Sequence, residues 1–346
     1  MKKTLATIGK LMFFLGLGLF FIWLFVRNLT PGEKAEIWES LRQANYLWIL
    51  LSLLIGIVSH ISRSIRWRML LEPMGYHPRF SNVVFAVFIG YFANLALPRL
   101  GEVSRCGVLA KYEKIPFQKS FGTVVTERAI DLLIFALLFI LNLVIQFGRV
   151  SNYIAEKIIH PIQGKLALFD GTHYLIYLLI AGVVFFLALL YFLRKHFNHT
   201  GIYRKIKEVI MGFLEGLKSL AHIKKPFWFI FHSLFIWTLY YAMTMVVFNC
   251  LPETKGISLT AGFAVYIFAT IGVMIVQGGI GIYPAIVAET LFLYDIPETK
   301  GYAMGWLLWS GQTVMIILAG IISLILLPLM NKTLYGKDRP HPVQNS

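Results

Sequence analysis

Runs of about 18 or more apolar residues, long enough for a helix to cross the hydrocarbon of a bilayer, recur along this chain and constrain it more than any other feature. In hydrocarbon no backbone N–H or C=O can go without a partner, and helices satisfy those groups within one segment. The expectation is an all-α polytopic membrane protein. Composition agrees, with 58% hydrophobic and 14% charged residues and a mean hydropathy of +0.70. The 32 Lys and Arg exceed the 17 Asp and Glu, but they sit between the apolar runs. Membrane orientation and anionic lipid at the cytoplasmic face explain that excess, so no nucleic acid partner is expected. Cys106 and Cys250 fit no redox or metal spacing and the nine His form no ligand pattern, so neither a disulfide, a metal nor a cofactor is expected.

Two of the apolar runs are broken in their middle. The first, Val83 to Leu97, stops at Pro98, and Arg99, Gly101, Glu102 and Arg105 follow within a few residues. The second begins at Thr260 and is broken by Gln277-Gly278-Gly279-Ile280-Gly281. The two read as copies: Phe85-Ala-Val-Phe-Ile matches Phe263-Ala-Val-Tyr-Ile, and Leu100-Gly101 falls opposite Ile280-Gly281 when about two residues are inserted in the second copy.

Taken in order, Met1-Lys-Lys and the run to Val26 read as a first span that starts in the cytoplasm. Thr30-Pro31-Gly32-Glu33 carries the signature of a helix start, so a short surface helix to Arg42 follows, with Ile37, Trp38 and Leu41 on one side. The second span, Tyr46 to about Ile65, ends in Arg63, Arg66, Trp67 and Arg68, a basic and aromatic collar suited to the cytoplasmic headgroup layer or, alternatively, to lipid phosphate. Were Val83 to Leu97 a full crossing, Arg99, Arg105, Lys111, Lys114 and Lys119 would all lie outside, against the positive-inside bias. A re-entrant hairpin, in from the cytoplasm, turning at Pro98 to Gly101 and returning along Glu102 to Ala110, keeps the lysines inside. Irregular backbone at that depth needs protein or a wet cavity around it.

Phe121 to Phe147 then spans outward and carries Glu127, Arg128 and Asp131. Glu127 and Asp131 share a helix face and need a cation, for which Arg99, Arg105 or Arg128 are the candidates. Buried ionisable groups cost roughly 2.5–3.5 kcal/mol each on insertion scales, so their clustering marks either a structural ion-pair network or a substrate or proton site. An outer loop from Gly148 to His173, an inward span from Tyr174 to Leu193 and a basic amphipathic interfacial helix over 201–222 follow. Phe227 to Cys250 runs outward. The second hairpin enters from outside, turns at Gly278 to Gly281 and returns along Tyr283 to Tyr294. Tyr302 to Leu327 crosses inward, and residues 331–346 form a polar cytoplasmic tail. This gives a single membrane domain, 1–330, of six full spans and two opposed hairpins. Its first repeat, 46–147, is inverted relative to the second, 227–327. The chain is expected in the inner or plasma membrane with both termini cytoplasmic. Self-association as a homo-oligomer stays open.

Pro98-Arg99-Leu-Gly101-Glu102-Val-Ser-Arg105, then Glu127-Arg128 and Asp131, then Gly278-Gly279-Ile-Gly281 resemble the lysylphosphatidylglycerol synthase transmembrane family of flippase-like domains. The second motif departs from that family's Pro-Gly-Gly-x-Gly-x-x-Glu, with Gln277 for the proline and Pro284 for the glutamate. The resemblance implies movement of an anionic phospholipid or polyisoprenyl-phosphate lipid between leaflets. Lysyl transfer is not expected, because the soluble transferase domain has no room after Leu327. On this reading Arg99, Arg105 and Arg128 contact phosphate and Glu102, Glu127 and Asp131 orient them. From the other side the turn offers Gln277, Tyr283 and the backbone N–H groups of Gly278, Gly279 and Gly281. Two other classes stay open. One is a membrane-embedded enzyme acting on a lipid phosphate, with Glu127 and Asp131 as acid and base or as Mg²⁺ ligands. The other is a scaffold for cell-envelope enzymes.

Overall fold

The computed structural model describes residues 16, 19–20, 22–27, 29–97, 99–154 and 223–335, which are helices joined by short turns, with no strand among them. Most of the expected first span, the span at 174–193, the interfacial helix at 201–222, the tail beyond 335 and Pro98 lie outside the described residues. Four helices are long and apolar enough to cross a membrane, within Tyr46–Met74, Phe117–Gly148, Pro226–Cys250 and Glu298–Lys332.

The surface helix α1 (Pro31–Gln43) starts as its sequence dictates. The Thr30 hydroxyl accepts the Glu33 N–H at 3.2 Å, and Glu33 accepts the Thr30 N–H at 2.7 Å. That backbone bond first, and the Thr30 hydroxyl second, hold the Glu33 carboxyl below the ordinary glutamate range. Helix α1 buries Ile37 and Ser40, whereas Trp38 is 69% exposed. The expected grouping of Trp38 with Ile37 fails because adjacent helical positions point about 100° apart. Lys300 fastens α1 to the bundle, with Nζ 3.5 Å from Glu36, 3.0 Å from the Ser40 hydroxyl and 3.0 Å from Glu253.

Helix α2 (Tyr46–Leu71) runs on past the expected end at Ile65 and lies antiparallel against a partner from the second half. The Ser52 hydroxyl donates to the Met243 carbonyl, while Ser62, a few turns later, reaches His232 at 2.8 Å. Between these partners come α3 (Phe80–Ala96), α4 (Leu100–Tyr112) and α5 (Phe117–Ile154). The second half comprises α6 (Pro226–Val247), α7 (Leu259–Ile275), α8 (Ile282–Phe292) and α9 (Glu298–Tyr335). Helix α9 takes in residues 331–335, which the sequence reading gave to the tail.

The packing partners of the two halves correspond. Helix α3 packs on α4 as α7 does on α8, α4 on α5 as α8 on α9, and α3 on α9 as α7 on α5. The last pair of crossings is pinned at equivalent places. Asn82, at the start of α3, exchanges amide hydrogen bonds with Asn331, at the end of α9. Gln146, late in α5, donates to the carbonyl of Thr260, at the start of α7. Because α2 and α6 are antiparallel, the two hairpins enter from opposite ends of the bundle. One end gathers Arg68, Arg79, Lys111, Lys114, Lys119, Lys224, Lys225 and Lys332 against Glu72 and Glu113; the other mixes Lys34, Arg42, Lys255 and Lys300 with Glu33, Glu36, Glu39, Glu253, Asp295 and Glu298.

Candidate functional site

Each hairpin begins with a helix of 17 residues and ends it the same way. The chain goes extended at Leu97 (φ −145°) and at Val276 (φ −110°), whose N–H groups still reach back to Ala93 and Gly272. Two residues on, the backbone turns left-handed, at Arg99 (φ 64°) and at Gly278 (φ 71°). There the two hairpins diverge. Helix α4 starts directly at Leu100, whereas the second turn passes through two more positive-φ residues, Gly279 and Gly281, on either side of Ile280 before α8 starts at Ile282. The match of Gly101 with Gly281 is thus corrected: Gly281 caps a helix and Gly101 is already inside one. Gly101 serves close approach instead, since a Cβ there would lie 2.1 Å from the Gly90 carbonyl oxygen. Its N–H donates to Asn94 Oδ1 at 2.7 Å, closing the first tip on itself.

About ten residues into α5, some 15 Å along its axis, Glu127 is fully buried beside Asp131. Every oxygen of this pair faces a guanidinium. Arg63 Nη1 lies 2.7 Å from both Glu127 Oε1 and Asp131 Oδ2, and Arg105 Nη2 lies 3.0 Å from Glu127 Oε2. Arg66 Nη2 lies 2.7 Å from Asp131 Oδ1, off the hydrogen-bonding line, and 3.3 Å from Glu127 Oε1. Trp67 completes the cluster, donating to Thr123 Oγ1 at 2.9 Å with its ring 4.5 Å from the Arg105 guanidinium. Arg128 pairs separately with Glu102 at 3.3 Å, 40% exposed at its side chain. Arg99 is exposed and has no ion pair among the described residues.

These contacts overturn two expectations. Arg63, Arg66 and Trp67 are not a headgroup collar: α2 continues through them, and they are 3%, 0% and 0% exposed. Of the cations expected for Glu127 and Asp131, Arg105 is found there, but Arg99 is not and Arg128 turns to Glu102. Three arginines around two carboxylates would be costly to bury singly; together each charge has a partner. A sequence signal for the missed pair exists. Ser52, Gly56, Ser59, Arg63 and Arg66 recur every three or four residues, a polar stripe through an apolar span.

Between the tips lies a cavity of about 740 Å³. Its wall takes Arg63, Arg99, Glu102, Arg128 and Asp131 from the first half. From the second half come Gly278 and Tyr283, and the Trp309 indole N–H donates to the Gly278 carbonyl at 2.6 Å, fixing that tip to α9. Of the candidates, Arg105 and Glu127 lie behind the wall and Gly101 inside the first hairpin, while Gly279 and Gly281 form the second turn without lining the cavity; Gln277 opens that turn, and its side chain lies outside what is described. Gln312 and Tyr240, which the sequence reading did not single out, do line it.

Opposed broken hairpins around a charged cavity, within a bundle of spanning helices, define a multi-pass membrane protein. Residues 8–321 match the lysylphosphatidylglycerol synthase TM region, and the chain belongs to that family. It is 25% identical to the UPF0104 membrane protein MJ1595 of Methanocaldococcus jannaschii over 84% of this chain and 88% of that one. A UPF0104 membrane protein of Methanothermobacter thermautotrophicus is 23% identical over 73% of this chain and 76% of its own. The glycosyltransferase AglD of Haloferax volcanii is 30% identical over 30% of this chain and 17% of its own. No solved structure matches the chain significantly. The family ties the protein to a lipid-related function in the membrane.

Proposed function

We propose that the protein is a lipid translocase that carries an anionic phospholipid or polyisoprenyl-phosphate headgroup through the cavity between its hairpin tips. The observation behind this reading is the charge of the cavity and the cluster behind it. Arg63, Arg66, Arg99, Arg105 and Arg128, five cations, face Glu102, Glu127 and Asp131, three acids, which leaves two positive charges over. An excess cation at membrane depth is unfavourable until an anion arrives. Arg99 and Arg128 stand on the wall as the phosphate contacts, with Glu102 orienting Arg128. Arg63, Arg66 and Arg105 hold the frame. Gly278 presents its backbone from the opposite tip. The positive-inside bias turns the basic end of the bundle to the cytoplasm, and in an inner or plasma membrane both termini then lie inside.

The enzyme reading loses support from the same geometry. With every oxygen of Glu127 and Asp131 ion-paired to an arginine, a proton or Mg²⁺ has to compete with a guanidinium for each of them. The translocase reading is tested in liposomes with fluorescent phosphatidylglycerol. Purified protein should equilibrate the label between leaflets, and Arg99→Gln, which breaks no ion pair among the described residues, should slow this about tenfold or more. Equal rates for the two proteins would remove Arg99 from the site, and no transfer of any anionic lipid would remove the function.

A further inference from the structure

The second half's share of the cavity wall carries no charge among the described residues. Helix α6 brings Trp237, Tyr240 and Thr244, and α9 brings Gln312 and Thr313. Gln312 lies midway along a membrane-crossing helix, one turn from the Trp309 that pins the glycine tip. It is half-buried and its amide has no hydrogen-bond partner among the described residues. A primary amide there, open to the cavity, offers two donors and one acceptor to whatever fills it, and a ligand that covers the amide without meeting them pays for it. Across from it, each of the three carboxylates near the cavity is ion-paired to an arginine, and the five arginines there outnumber them, so an ammonium group meets net positive charge. The volume, about 740 Å³, is that of a site for a drug-sized ligand, well beyond a bare phosphate.

Building on the translocase reading, we propose that this uncharged wall selects a hydroxylated phosphodiester headgroup, with Gln312 as the specificity-determining contact. The phosphate sits on Arg99 and Arg128. The neighbouring hydroxyls, of a glycerol or of a sugar, meet the Gln312 amide and the Thr313 hydroxyl, with their C–H faces on the tryptophan and tyrosine rings. A site that hydrogen-bonds a hydroxyl rejects an analogue without it, because the amide is then stranded.

The test is competition for retained lipid, read by native mass spectrometry of the full chain in detergent. The probes are phosphatidylglycerol, a prenyl phosphohexose, phosphatidic acid and phosphatidylethanolamine, the three glycerolipids with identical acyl chains. Wild type should retain one of the two hydroxylated lipids about tenfold over phosphatidic acid and phosphatidylethanolamine, and which of the two wins identifies the source of the hydroxyls. Gln312→Leu should reduce that preference to within about twofold while phosphatidic acid binds as before. Gln312→Glu, which supplies a free carboxylate, should raise phosphatidylethanolamine. Equal retention of all four lipids by wild type, or a preference that survives Gln312→Leu, overturns the proposal and leaves the translocase reading standing. Retention of no phosphate lipid above an Arg99→Gln control overturns both.

Discussion

The two hairpins have the same frame and opposite chemistry. Both open with a 17-residue helix, an extended residue and a left-handed one. The first puts Arg99 at the left-handed position and surrounds it with charge; the second puts Gly278 there, then Gly279 and Gly281. For a residue with a Cβ the left-handed conformation costs about 1–2 kcal/mol, and for glycine nothing. The first hairpin therefore accepts strain to place a guanidinium at the tip. The second, relaxed, offers backbone and lets α9 supply the side chains. They are also held differently. The first closes on itself, Gly101 against Gly90, and through Arg105 onto Glu127. The second is clasped from outside, with Gly301 and Gly305 of α9 against Ala288 and Pro284 of α8. Two similar frames thus give one tip that carries the charge and one that carries the shape.

The largest effect expected from breaking this contrast is at Glu127. Glu127→Gln leaves Arg63, Arg66 and Arg105 with Asp131 alone and should destabilise the protein by about 3–5 kcal/mol, read as a lower midpoint of thermal unfolding in detergent. Adding Arg66→Met should recover part of that loss, and no recovery would mean that the cluster is not the reason. Next come the glycine contacts. A Cβ on Gly305 would lie 2.5 Å from the Pro284 Cα, so Gly305→Val should cost about 1–3 kcal/mol. The same change at Gly101 should cost a similar amount, but by opening the first hairpin, which protease sensitivity near Arg99 would reveal. Arg99→Gly separates strain from function. Stability should hold or rise by about 1 kcal/mol while lipid transfer falls as with Arg99→Gln. A clear loss of stability would show that the arginine also holds the tip.

The smallest effect lies outside both hairpins. The folded-state affinity of Glu33 for a proton is lowered by the Thr30 bonds, so the capping contribution is complete above the ordinary glutamate range and lost as pH falls through the lowered folded value. Amide protection in the first turn of α1, taken relative to the intrinsic exchange rate at each pH, should fall at acid pH, and Thr30→Ala should remove that pH dependence.

Much of this fold is legible in the sequence because its causes are local. The cap at Thr30 and the breaks after Leu97 and Ile275 follow from residue types within a turn or two of each other. The site is less legible. Glu127 and Asp131 advertise a need for cations, and three arginines close by in the chain look sufficient. The pair that α2 brings, Arg63 and Arg66, lies more distant in sequence and ends an apolar run in the manner of an interfacial anchor. Gln312 is one amide in a long apolar helix, with nothing near it in the chain to say that it faces arginines across a cavity.

The sequence by itself determined that the chain is helical, that it lives in a bilayer and where its helices break. Hydrocarbon leaves the backbone no partner but its own near neighbours, and that makes these features local. Only the tertiary structure decided which arginine answers which carboxylate, and that one wall of the cavity is charged and the other neutral. Those choices rest on where α2, α4 and α5 cross, and on the antiparallel fit of α2 to α6. Helix crossings are settled by packing across the whole bundle, and no stretch of the chain states them alone.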